Sequence, residues 1–256
     1  MLLPSGISYA GKDEPNFAFF LERPKSEECS YGVMETSQLI VKPELSESYR
    51  GLRVLELELY DLKVRESNRE LDNFKIQKQN EIRANIESLE VVKNLPILRA
   101  YRDFYWKVGI DPTKTRPAGE ALIRRILGGK DLPRINTLVD AYNIASAETQ
   151  ISIAAFDLDA VDRSNLEMRL AQHGEAFLGI GMQKPIQLTG VEVVIEDLSA
   201  KKLIAVYPYR DSDESKVTLQ TDKVLLMMCG VPGIGEEDLL RALQVTKEHV
   251  EKYCSH

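Results

Sequence analysis

The chain has 256 residues, of which 43% are apolar and 29% charged, with a net charge of −7. These are the values of an ordinary globular chain and exclude a fibrous or wholly disordered one. No apolar run approaches the roughly eighteen residues of a membrane-spanning helix, and the acidic balance argues against a protein coated in nucleic acid.

The charge is unevenly spread. Residues 101–134 hold eight basic and four acidic side chains, whereas 135–256 hold eleven basic and nineteen acidic. One short basic block thus lies between acidic flanks, and steering of an anion would come from it. A solvated helix face has the same composition. Three cysteines, Cys29, Cys229 and Cys254, are too few and too scattered for a disulfide framework or a paired-cysteine metal site. The opening Met-Leu-Leu-Pro-Ser-Gly has neither the basic flank nor the long apolar run of a signal peptide. A reduced, cytoplasmic setting is the expectation.

The first forty or so residues are poorly periodic and interrupted by Pro4, Pro15, Pro24 and Pro43, with one strand-like stretch at 17–21. They read as an extension, 1–41, packed on a main domain, 42–256, or as a partly ordered arm. In residues 53–62, Leu55, Leu57 and Leu59 alternate with Glu56 and Glu58, which predicts a half-buried strand with its acids outward. From 66 to about 94 the spacing of Leu71, Phe74, Ile82, Ile86 and Leu89 predicts a helix. A second helix carries Ile97, Tyr101, Phe104, Tyr105 and Val108 and stops at Gly109. After a rigid turn at 111–117, Pro117 suits the first position of a helix with Ala121, Leu122 and Ile126 inward, ending at Gly128-Gly129. Pro133 precedes a further helix with Leu138, Val139, Tyr142 and Ala145 on one side.

Beyond Thr149 the pattern turns to strands: 151–156, then 166–170, a hairpin of 191–195 with 203–207, and 224–228. An amphipathic helix at 236–253 closes the chain. Helices first and mostly antiparallel strands second read as α+β, a helical half packed on a β half.

Most catalytic motifs are absent, including the phosphate-binding P-loop, the HExxH helix and the GxSxG elbow. His249 and His256 flank Cys254, but a plain chain end explains them better than a metal, and neither metal nor cofactor is expected. His173 lies in a turn-like stretch. The stretch 210–216, R-D-S-D-E-S-K, reads as a polar turn whose carboxylates would hold an ammonium group or orient a water. Asn143 is a candidate buried amide, or a side chain tying helix to loop.

I-L-R-A-Y-R-D-F-Y-W-K-V-G at 97–109, D-P-T-K-T-R-P at 111–117, L-P-R-I-N-T-L-V-D-A-Y-N at 132–143 and A-A-F-D-L-D at 154–159 are the most distinctive stretches. Together with 210–216 and 224–228 they resemble the B3/B4 domain of the phenylalanyl-tRNA synthetase beta subunit, in free-standing form. The resemblance runs from about residue 42 to the end and implies a B3/B4-like α+β fold. In the synthetase this domain is the editing module: it binds the 3′ end of the tRNA and hydrolyses the ester of a wrongly attached amino acid. The resemblance therefore implies tRNA or aminoacyl-tRNA as partner and a deacylase acting in trans, and it admits an aminoacyl-tRNA synthetase as a second partner. It implies no aminoacylation, because the ATP-using module lies elsewhere in the synthetase.

Residue by residue the match is partial. Where the synthetase has a Thr-Asn pair, Tyr142-Asn143 stands here, and Ala154 stands where it has a histidine. Its glycine-rich loop ending in glutamate corresponds to Tyr209-Arg210-Asp211-Ser212-Asp213, with Asp213 nearest the glutamate. The resemblance implies that Asn143 orients the substrate and that Asp211 or Asp213 holds its ammonium group or the water. Tyr142, Ala154, Ala155, Phe156 and Ser212 would line the pocket. Lys114, Arg116, Arg124, Arg125 and Arg134 are candidates for tRNA phosphates, with salt bridging inside the domain an equal alternative. Ester hydrolysis on a tRNA needs a positioned water, a donor for the oxyanion and a hold on the amino acid. The ribose hydroxyl assists, so loss of one histidine does not abolish it. Ala154 and the net charge favour two other readings, a non-catalytic tRNA or synthetase binding module and a small-molecule binder that kept the pocket. Asn143, the acidic stretch and the basic block favour the deacylase.

Overall fold

The computed structural model describes residues 39–255. The strand-like stretch 17–21, Cys29 and His256 lie outside them. In chain order the elements are β1 (Ile40–Val41), α1 (Pro43–Ser48), β2 (Arg53–Leu59), α2 (Arg69–Asn85), α3 (Leu89–Val92), α4 (Pro96–Lys107), α5 (Ala118–Leu127), α6 (Thr137–Thr149) and β3 (Ile153–Asp157). There follow β4 (Leu166–Leu170), β5 (Ala176–Phe177), β6 (Ile186–Gln187), β7 (Val193–Asp197), β8 (Lys202–Tyr207), β9 (Arg210–Asp211), β10 (Val224–Gly230) and α7 (Glu236–Cys254). The fold is α+β, as the order of patterns predicts.

A five-stranded sheet runs β1-β4-β7-β8-β9, antiparallel except for the β1–β4 pair. Ile40 and Val41 are thus part of this sheet, ahead of the boundary drawn at residue 42. A three-stranded antiparallel sheet runs β2-β10-β3. Every residue of its middle strand, V-L-L-M-M-C-G, is buried, the mark of a strand covered on both faces. The five-stranded sheet shows clean alternation: Val193, Ile195 and Tyr207 join the main core, while Val194 and Val206 meet Ala171, Phe177 and Leu188 beneath the β5–β6 hairpin.

The helical half forms its own core from Leu71, Leu98, Leu122, Ile123, Ile126 and Ile144. Two asparagines start its helices. Asn68 accepts from the Glu70 and Leu71 amides, and Asn136 accepts from the Val139 amide at 2.8 Å, filling donors a helix end leaves unpaired. Lys75 on α2 and Asp140 on α6 form a buried ion pair, and Asp140 also accepts from the Ile135 amide at 2.9 Å. At Gly230 the ends of β10 and α7 meet. A Cβ there would lie 2.6 Å from Leu239 Cδ1 and 2.9 Å from Arg53 O, so only glycine allows this approach.

The first long strand and the helices depart from the sequence reading at four points. Glu56 and Glu58 do not face water: both are buried against Arg163, whose Nη2 lies 3.1 Å from Glu56 Oε2 and whose Nε pairs with Glu58. Alternation reports which residues share a face, and the cation that covers this face lies 107 residues on from Glu56. The helix from 66 to 94 is two helices, because Ile86 and Ser88 are extended. Pro117 stands just before α5 rather than as its first residue. Ala121 is exposed, and the buried face of α5 is Gly119, Glu120, Leu122, Ile123 and Ile126.

Candidate functional site

β3 pairs with β10 along one edge only, and β9 is the last strand of the other sheet. A free strand edge presents backbone N–H groups that must find partners. Here Asp211 supplies one: its Oδ2 accepts from the Ala155 amide at 3.2 Å. The carboxylate therefore joins the two sheets at their edges. The stretch read as a polar turn is in fact a short strand, with Ala205 opposite Asp211 and Val206 opposite Arg210, followed by a 3-10 turn at Asp213–Ser215.

Asp211 has no ion pair among the described residues. Its neighbour Arg210 is committed elsewhere, donating to Ile180 O at 2.7 Å with its guanidinium 5.0 Å from the Tyr209 ring centre. Burial pushes the Asp211 carboxyl up to about 7, partly offset by the Ala155 amide and the Arg210 charge. Asp211 is half-buried as a residue, and its carboxyl is the desolvated part. Burial first, and the nearby charge of Asp211 second, raise the Tyr142 phenol on α6 above its ordinary value. The Cys229 thiol is likewise pushed up, by burial first and Asp211 second. Ala154 and Ala155 are buried on β3, and Phe156 is wholly inside the core.

The expected residues divide. Tyr142, Ala155 and Asp211 are brought together. Asp213 opens the 3-10 turn, where Lys216 Nζ lies 2.8 Å from its Oδ1 and 2.9 Å from its Oδ2. The Ser212 hydroxyl caps the same turn by accepting from the Glu214 amide at 3.3 Å. Asn143 is half-exposed, next to Tyr142 on α6, and its side chain makes no hydrogen bond among the described residues. Of the basic candidates, Arg124 Nε lies 2.7 Å from Glu120 Oε1, and Arg134 Nη2 lies 2.6 Å from Asp72 Oδ2. Arg125 donates to Asp131 O. Lys114 is 3.8 Å from Asp111, and Arg116 is exposed with no ion pair among the described residues.

Two features escaped the sequence reading. Glu120 is fully buried between Arg102 and Arg124, tying α4 to α5; its spacing of four from Arg124 was the available signal. Trp106 is exposed on the charged side of α4, three residues beyond Asp103 and seven beyond Arg99. His249 is buried in edge-on contact with Phe74, and the Cys254 thiol lies 3.5 Å from Thr137 Oγ1. Among the described residues no group of three or more His, Cys, Asp or Glu side chains is placed to hold a metal, and no helix is long and apolar enough to cross a membrane.

Residues 100–253 match the family model of the B3/4 domain. The match spans more than half of the chain, which belongs to the B3/4 domain family. A solved structure that it is similar to is an N-terminal fragment of the phenylalanyl-tRNA synthetase beta subunit from Pyrococcus horikoshii, at 13% identity and a TM-score of 0.45. The alignment covers 88% of this chain and 51% of that one, so the chain spans about half the length of the fragment. No curated protein matches it.

Proposed function

We propose that this B3/4 protein binds tRNA and hydrolyses misacylated aminoacyl-tRNA in trans, with Asp211 as the group that takes a proton from the attacking water. The observation that carries this reading is the carboxyl of Asp211, which has no ion pair among the described residues, accepts from the Ala155 amide and is pushed up by burial to about 7. A base with a pKa near the working pH is the effective one for proton transfer. In the ionised form Asp211 accepts a water proton as the oxygen attacks the ester carbonyl. The acyl–oxygen bond then breaks, and the ribose oxygen leaves and is protonated, giving free tRNA and amino acid. Tyr142, held protonated, is a donor for the developing oxyanion, and Asn143 orients the aminoacyl group. Such an activity belongs in the cytoplasm, where charged tRNA is used.

A second reading, a binding module for tRNA or for a synthetase without chemistry, is favoured by Ala154 at the histidine position and by the internal partners of Arg124 and Arg134. A panel of tRNAs, each carrying a mismatched amino acid, separates the two. Release of amino acid above the spontaneous rate supports the deacylase. Binding without release supports the module.

A further inference from the structure

Helix α4 has two unlike sides. Tyr101, Phe104 and Tyr105 are buried, and the Tyr105 hydroxyl donates to Pro208 O at 3.3 Å, next to the strand that carries Asp211. On the opposite side an open cleft of about 280 Å³ is lined by Arg99, Arg102, Asp103 and Trp106, with Lys93 and Asn94 from just before the helix. Three of its six lining residues are cations and one is an acid. Asp103 is 2.9 Å from Arg99, and Arg102 is held 3.1 Å from the buried Glu120. The buried Glu120 holds the Arg102 guanidinium at the wall, while the Arg99 pair lies on the surface. Lys93 is exposed and has no ion pair among the described residues. The Trp106 side is 57% exposed, in a chain that is acidic overall and has a single tryptophan.

An exposed indole beside cations is costly to leave in water and suited to a planar anion. We propose that this cleft binds one unpaired nucleotide, its base stacked on Trp106 and its phosphate held by Lys93 and Arg99. Every base has a face to stack, and a phosphate supplies the counter-charge that Lys93 lacks once Arg99 and Arg102 are paired. The site is separate from Asp211 and does not depend on hydrolysis there. The shared chemistry is that of a nucleotide; whether it is free or part of a single-stranded RNA is resolved by the ligand used.

Because Trp106 is the one tryptophan, its fluorescence reports the site directly. The full chain is titrated at low salt with adenosine monophosphate, with a short single-stranded oligoadenylate and with tRNA. Saturable quenching by any of them is expected, and the ligand that quenches at the lowest concentration names the source. In parallel, anisotropy with labelled ligand compares wild type with Trp106→Ala, Trp106→Phe and Lys93→Glu. Loss of the indole should weaken binding roughly five- to a hundredfold, with Phe keeping part of it. Lys93→Glu should weaken binding and flatten its salt dependence. The proposal is overturned if no nucleotide ligand quenches Trp106, or if the ligand that quenches it binds equally well to all the variants. The second result leaves tRNA binding elsewhere intact. Quenching that depends only on protein concentration would make the cleft a contact between copies of the chain and would also overturn it.

Discussion

Asp211 sits where a carboxylate is costly. Its pKa rises from the ordinary 3.8 to about 7, mainly through burial, so the fold favours the protonated form. The stability this form carries is complete below the unfolded value and is lost as pH rises through the folded value. Asp211→Asn keeps an oxygen for the Ala155 amide and removes the charge. The variant should therefore be more stable than wild type at pH 8, by about 1–3 kcal/mol, and nearly equal to it close to pH 4. Melting curves at the two pH values test this, and equal differences at both would show that the carboxyl is not desolvated. Asp213→Asn removes only a surface pair with Lys216, and should change stability by less than about 1 kcal/mol and leave hydrolysis unchanged in a rate assay. Sequence comparison leaves Asp211 and Asp213 as equals. What separates them is the pairing of a two-residue strand with β8, which turns Asp211 toward β3 and leaves Asp213 to open the next turn. So short a strand, made of polar residues, has no apolar period to reveal it.

At the scale of elements, the join between α4, α5 and α6 rests on residues the pattern does not mark. Glu120 is surrounded by Arg102 and Arg124, and Glu120→Ala leaves two guanidinium groups facing a space without a counter-charge. A loss of about 3 kcal/mol, read from urea unfolding, is expected. At Gly119 a Cβ would lie 2.7 Å from Gln150 O, a backbone atom that cannot step aside, so Gly119→Ala should cost about 1–3 kcal/mol in the same measurement. The helices and the longer strands were legible because each carries an apolar face at its own period, as Tyr101, Phe104, Tyr105 and Val108 do on α4. The buried acids were not. Glu56 and Glu58 alternate with leucines as surface residues would; their burial rests on Arg163, which returns from beyond β3, with the Leu39 amide donating to Glu56 and the Tyr60 hydroxyl to Glu58.

For the whole molecule, the basic block at 101–134 shows a net charge that the fold partly spends on itself. Arg124, Arg125 and Arg134 have partners within the protein, while Arg116 is unpaired among the described residues and Lys114 only loosely held. Sequence records the charges but not these partners. tRNA affinity should accordingly fall with a shallow salt slope, about 0.9 per neutralised duplex phosphate over a few contacts. Arg116→Glu should weaken all tRNAs alike, and Arg134→Glu should weaken them less; filter binding across a salt series reads both. The editing reading itself meets its most direct test in deacylation of a panel of misacylated tRNAs by wild type and by Asp211→Asn across pH 5 to 9. The expected result is release of at least one mismatched amino acid, at a rate that rises through an inflection near pH 7 and drops roughly ten- to a hundredfold in the variant. Absence of release from every tRNA, or equal rates for the variant and wild type, would contradict it.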